Sequence, residues 1–170
     1  MTVLRFLLVL ISLLFVPLPA AAEEPVYLYQ RIHVLIAHHD NRISLRLWVD
    51  GTVEMRFPSY TPQAGVQRWT ASAQERAQLD AFFGAASRQD PHLIETARAR
   101  SDDGELIYIA DADIVRFEVR DAGRAPRLLM IEAPDAWSRA LPQSAALQEL
   151  AQTERDLLAW MRGRASRAAP

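Results

Sequence analysis

The sequence predicts an α+β fold: an antiparallel sheet of about six strands in the order β-β-β-α-β-β-β-α, with helices packed on one face. Three observations carry that prediction. Residues 43–57 read ISLRLWVDGTVEMRF, two alternating runs around Asp50-Gly51 and a strong short-range hairpin signal. Residues 72–75 read SAQE, a capping box at the head of a helical pattern. Residues 114–132 hold two strand-like runs around a DAGRAP turn, and a long helical stripe follows.

Side-chain parity sets the hairpin register. A two-residue Asp50-Gly51 loop opposes Leu47 to Glu54 and Leu45 to Arg56, mixing apolar and polar side chains on each face. A three-residue loop, Val49-Asp50-Gly51, instead pairs Trp48 with Thr52, Leu47 with Val53, Arg46 with Glu54, Leu45 with Met55 and Ile43 with Phe57. One face becomes apolar, and the other carries an opposite-charge pair. That loop requires a left-handed backbone at Gly51.

The remaining elements follow in order. Residues 26–37 (VYLYQRIHVLIA) form a first strand. Its inward face is read from Val26, Leu28, Ile32, Val34 and Ile36, with Gln30 interrupting. Residues 38–42 make a polar turn. Pro58 ends the third strand, and residues 59–70 read as a loop. A helix starts near Ala73, buries Leu79, Phe82, Phe83 and Ala86, and stops before Asp90-Pro91. Residues 88–104 are a connector with one helical turn at 93–96. Strands are expected at 105–110, 114–120 and 127–132. Val115, Phe117 and Val119 point inward in the second of these. The apolar run Leu128 to Ile131 suggests burial on both faces of the third. Pro134 and Asp135 open a short helical turn bearing Trp137. Residues 144–161 form a longer helix, which Gly163 is placed to cap. Residues 34–51 echo 107–123, as an internal duplication or any two such hairpins would.

The N-terminus has one early charge, Arg5, an apolar run over 6–15, then Pro17, Pro19 and three alanines ending at Ala22. This is the layout of a cleaved signal peptide, and two prolines leave the run short of a membrane span. The expected organisation is a leader at 1–22, one globular domain at 23–163 and a disordered tail at 164–170. The expected location is periplasmic or secreted, with no integral membrane segment after cleavage.

Composition removes several chemistries. There is no cysteine, so disulfides, thiol nucleophiles and thiolate metal sites are out. All 19 basic residues are arginine, which removes lysine Schiff bases and P-loops. A formal net charge of −2 argues against nucleic acid as the main partner. No G-x-S-x-G, H-E-x-x-H or glycine-rich phosphate loop is present, and no cofactor is implied.

Two sets of candidate site residues remain. His33, His38, His39 and Asp40 carry the donor types of a zinc or copper site, without a recognised spacing. Tyr60, Trp69 and Trp137 are aromatic side chains in loop or turn contexts that suit anchoring a partner. Asp102, Asp103, Asp111 and Asp113 lack the spacing of a calcium loop. The expectation is an exported, non-enzymatic binding or accessory protein of the envelope. It would use the sheet face left free by the helices and the Tyr60–Trp69 loop, with an envelope protein as partner. A metal-binding protein and a hydrolase built on scattered carboxylates are the alternatives.

Overall fold

A computed structural model of the chain describes residues 24–36, 40–92, 94–95, 109 and 112–168. Residues 1–23, which include the stretch expected to be a leader, His38, His39, Asp102, Asp103, Asp111 and all of the strand expected at 105–110 except Ile109 lie outside these residues. Six strands form one sheet: β1 Tyr27–Ile32, β2 Arg42–Leu47, β3 Thr52–Phe57, β4 Gly65–Thr70, β5 Ile114–Val119 and β6 Arg127–Glu132. Their spatial order is β4-β3-β2-β1-β5-β6, and each pairing is antiparallel. Helices α1 Ala73–Ser87, α2 Pro134–Ala140 and α3 Ala145–Ala168 pack on one side of it. The architecture is α+β. β2 and β5, which lie within the two echoing stretches, flank β1 on its two sides.

The β2–β3 hairpin has the three-residue loop. Trp48 N–H donates to the Thr52 carbonyl at 2.9 Å, and Leu47 pairs with Val53, Arg46 with Glu54 and Leu45 with Met55. Gly51 has φ +85°, and the Asp50 carboxylate accepts from the Thr52 amide at 2.8 Å. A Cβ at Gly51 would meet only Thr70 Cγ2, at an ordinary 3.8 Å. Backbone strain alone therefore sets the cost of Gly51→Ala, about 1–2 kcal/mol. A chemical-denaturation midpoint measures it, and an unchanged midpoint would contradict this turn.

β4 corrects the sequence reading, which placed a loop over 59–70. Only the first part turns, with Thr61 N–H donating to the Pro58 carbonyl. Gly65–Thr70 then pairs along all of β3. Its composition (GVQRWT) has no clean apolar alternation, because an edge strand buries little of itself.

The odd-numbered residues of every strand face the helices. Leu45, Leu47, Val53, Met55, Phe117 and Ile131 are all buried there. Tyr29 joins them, fully buried, and Tyr27 stacks on Phe83 with ring centroids 4.5 Å apart. This reverses the inward face expected for the first strand. Leu28 and Ile32 look away from the helices, and Tyr27, Tyr29 and Arg31 look toward them. The polar tips are satisfied on the helix side. Tyr27 Oη donates to Asp80 at 2.9 Å and Tyr29 Oη to Glu154 at 3.0 Å. A tyrosine ring buries much apolar area once its hydroxyl has a partner. Burial, then the Asp80 hydrogen bond, pushes the Tyr27 phenol up to about 12.

β6 also departs from expectation. Leu129 and Ile131 are buried, but Leu128 is 49% and Met130 60% exposed. The strand is buried on one face only.

α1 begins as the capping box requires. Glu75 N–H donates to Ser72 Oγ at 3.2 Å, and Ser72 N–H to Glu75 Oε2 at 2.9 Å. α2 follows Ala133, which holds a left-handed φ of 44°. α3 runs to Ala168, through Gly163 and into the tail expected to be disordered. Tertiary contacts override the roughly 1 kcal/mol helix penalty of glycine. Arg164 lies over the Trp69 ring at 4.7 Å and donates to Glu75 at 3.1 Å, and Ala165 is buried.

Candidate functional site

Three of the residues singled out by sequence gather at one end of the sheet. β1 ends there at Ile32, β2 begins at Arg42, β3 ends at Phe57 and β5 begins at Ile114. His33 Nδ1 lies 3.3 Å from Asp113 Oδ1, without the alignment of a hydrogen bond. Asp40 accepts from the Ser59 amide at 2.6 Å and from Arg56 at 2.9 Å. The Ser59 amide, then Arg56, hold its carboxyl down at about 2. Tyr60 is exposed. Burial and then the Asp113 and Asp40 carboxylates raise its phenol. Among the described residues no group of three His, Asp or Glu side chains could hold a metal ion. His38 and His39 lie outside those residues.

The same end holds a polar cleft of about 340 Å³, lined by Arg31, His33, Asp113, Asp135, Arg139 and Glu154 among others. Its carboxylates are closed by arginines. Arg31 Nε donates to Asp113 at 2.6 Å and Arg31 Nη1 to Glu154 at 3.2 Å. Asp135 takes Arg139 and Arg155. Burial raises the Glu154 carboxyl, against the pull of Arg31, while Arg139 and Arg155 overcome burial to lower that of Asp135. A hydrolytic pair needs carboxylates free to exchange protons with substrate. Here each is an acceptor in a closed ion pair, and the group locks β1 to β5 and α3.

The aromatic candidates separate. Trp69 lies on the helix side of β4, against Trp160 with centroids 6.5 Å apart and under Arg164. It ties the edge strand to α3. Trp137 is buried in the core on α2, so it is no surface anchor. Tyr60 alone of the three presents a ring to solvent.

The opposite sheet face, which no described helix covers, carries a different chemistry. The even-numbered residues form cross-strand rungs. One reads Arg68, Glu54, Arg46, Leu28, Glu118, Leu128 from β4 to β6. The next reads Val66, Arg56, Ser44, Gln30, Arg116, Met130, and Arg42 lies beyond it on β2. A groove of about 510 Å³ runs over the β1–β4 part, lined by Gln30, Arg42, Ser44, Arg46, Glu54, Arg56, Val66 and Arg68. That size suits a small ligand or one segment of a larger one.

Charge is unbalanced in this groove. Glu54 is its one carboxylate, and it serves both Arg46, at 3.0 Å, and Arg68, at 2.7 Å. Arg56 has Asp40 at the margin, and Arg42 is exposed with no ion-pair partner among the described residues. The floor is polar too. Gln30 and Ser44 face each other across β1 and β2, only 8% and 6% exposed. Neither side chain hydrogen-bonds to another described residue. Arg116, beside Gln30, keeps a buried Nε–H without an acceptor. Buried polar groups nearly always have partners. Polar side chains open to a groove among guanidiniums, with one unsatisfied Arg116 N–H beside them, are the chemistry of an anion site.

Sequence reasoning expected use of the free sheet face and paired Arg46 with Glu54, but it singled out none of these residues as a site. The signal was present: R42-x-S44-x-R46, E54-x-R56 and R68 place polar side chains at alternate positions on three strands. Taken singly, each is an ordinary solvated strand face. Comparison with family models, curated proteins and solved structures finds no match for this chain.

Proposed function

We propose that the chain is an exported, non-enzymatic binding module that holds an anionic ligand on the open face of its sheet. Four arginines around one shared carboxylate, over a groove floor where the polar side chains of Gln30 and Ser44 make no hydrogen bond to another described residue, carry this reading. A guanidinium offers a planar fork matched to phosphate or carboxylate, and local charge of one sign attracts a ligand even when the net charge is opposite. The leader-like N-terminus supports export, and among the described residues no helix is long and apolar enough to cross a membrane. The closed ion pairs of the cleft support binding over catalysis.

Calorimetric titration with inorganic pyrophosphate tests the reading. Binding is expected, weakening as salt screens the arginines. The absence of saturable heat at low salt would refute it. Asp40→Asn gives a second check. Asp40 holds Arg56 at 2.9 Å and subtracts one charge from the rim of the groove. Its neutral replacement is expected to tighten pyrophosphate binding about fivefold, at roughly 1 kcal/mol per charge. Unchanged affinity would place Arg56 outside the contact.

A further inference from the structure

We propose that the ligand of the open face is an anionic amphiphile. Its phosphate-bearing head lies over Gln30 and Ser44, and its apolar chain lies across β1, β5 and β6. This rests on the anion-binding reading above and names its ligand. The face is divided into two halves. Arg42, Arg46, Arg56 and Arg68 occupy β2, β3 and β4. Leu28 and Ile32 on β1, Ile114 on β5, and Leu128 and Met130 on β6 make the other half aliphatic.

Leu128 and Met130 are the strongest feature of that half. They stand 49% and 60% exposed on an edge strand, where an aliphatic side chain gains nothing from water. They lie on the same rungs as Leu28 and Gln30, so the aliphatic half begins where the arginine groove ends. Two acids belong to this half. Glu118 is 3% exposed and clamped by Arg116 and Arg120, and it presents little charge to a ligand. Glu132 is exposed at the end of β6, on the rung of Ile114, so the apolar chain would lie over Leu28, Leu128 and Met130 rather than reach that rung. Segregation of charge and grease by halves of a sheet matches a ligand with one charged end and one apolar end. An acidic peptide would use the arginines and leave the aliphatic half uncovered. The Ser44 hydroxyl and Gln30 amide add neutral hydrogen bonds to the guanidinium forks, as a tetrahedral phosphate with several acceptor oxygens accommodates.

Co-sedimentation of residues 23–170 with lipid vesicles tests this. One set contains phosphatidylcholine alone, and the other adds phosphatidylglycerol. Glycerol phosphate and poly-glutamate are run as soluble comparisons. Binding to the phosphatidylglycerol vesicles is expected, with little to phosphatidylcholine alone. Each arginine of the groove replaced by glutamine is expected to weaken it about fivefold. Leu128→Thr with Met130→Thr keeps β propensity and is expected to weaken vesicle binding about tenfold, leaving pyrophosphate binding as in the parent. Melting curves confirm that these variants are folded. Where the double variant melts early, Met130→Gln alone replaces it.

Vesicle binding unaffected by Leu128 and Met130 would overturn the apolar contact while sparing the anion site. Poly-glutamate binding without vesicle binding would make an acidic protein segment the occupant and overturn the amphiphile. Equal binding to both vesicle types would remove the head group from the argument. Failure with vesicles and pyrophosphate alike would end both this inference and the reading it rests on.

Discussion

Arg31→Met is expected to destabilise the protein by about 3 kcal/mol at neutral pH, and by less in acid. Glu154 is 2% exposed, on α3, and its Oε1 accepts from Arg31 at 3.2 Å and Tyr29 at 3.0 Å. Removing one partner of a buried ion pair costs about 3–5 kcal/mol. Arg31 is about one third exposed, and screening on that side favours the lower end. The pH dependence follows from the direction of the Glu154 shift. Burial raises its folded pKa above that of the unfolded chain. Between those two values the folded state holds more protons, so stability falls as pH rises through the window. Taking away Arg31 removes the charge that opposes burial and moves the upper edge of the window higher. The variant's deficit is therefore full above the new folded pKa, shrinks as pH falls from there to the parent's own folded pKa, and is smallest below it. Glu154→Gln keeps an acceptor for Tyr29 without the charge, and in combination it should restore most of the loss. Denaturation midpoints of the single and double variants across pH measure this. A pH-independent deficit that Glu154→Gln does not rescue would contradict it.

Arg42→Glu with Arg56→Glu is expected to abolish measurable pyrophosphate binding and leave the fold intact. Both side chains are solvent-facing. Their reversal changes the groove by four charges, and at about 1 kcal/mol per charge the loss is roughly 4 kcal/mol, near a thousandfold. Surface charges contribute little to stability, so the melting temperature should stay close to the parent's. Calorimetry and a melting curve on the same sample check both halves. Retained binding would place the anion elsewhere.

Particular residues show how much of this was readable from the chain. The β2–β3 register, the Gly51 turn and the Ser72 cap were all legible, because each is set within a few residues of sequence. The face of β1 was not. Parity counting rewards Leu28 and Ile32 and ignores Tyr27 and Tyr29. Yet the tyrosines win the core through hydroxyl partners 53 and 125 residues away. That reversal leaves Leu28 and Ile32 on the open face, where they matter to the ligand reading. β6 failed for a related reason, since four consecutive aliphatics look the same whether one face or two is covered. β4 is an edge strand whose pairing is set by β3 rather than by its own pattern. Gly163 looked like a cap because the contacts of Arg164 and Ala165 that carry α3 onward are tertiary.

The groove was invisible in sequence because its residues come from four strands and converge only in the folded sheet. The histidines stood out by residue type. His33, the histidine of that set within the described residues, sits beside a cleft whose carboxylates arginines already hold.

The central claim is that the anion sits over Gln30 and Ser44. A nitrogen–proton NMR titration of residues 23–170 with pyrophosphate tests it most directly. Saturable shifts of the Gln30 side-chain amide, the Ser44 backbone amide and the Nε–H groups of Arg42, Arg46 and Arg56 are expected, with the signals of Arg31 and His33 unmoved. Shifts concentrated at Arg31 and His33, with Gln30 and Ser44 silent, would move the site to the cleft and contradict the account.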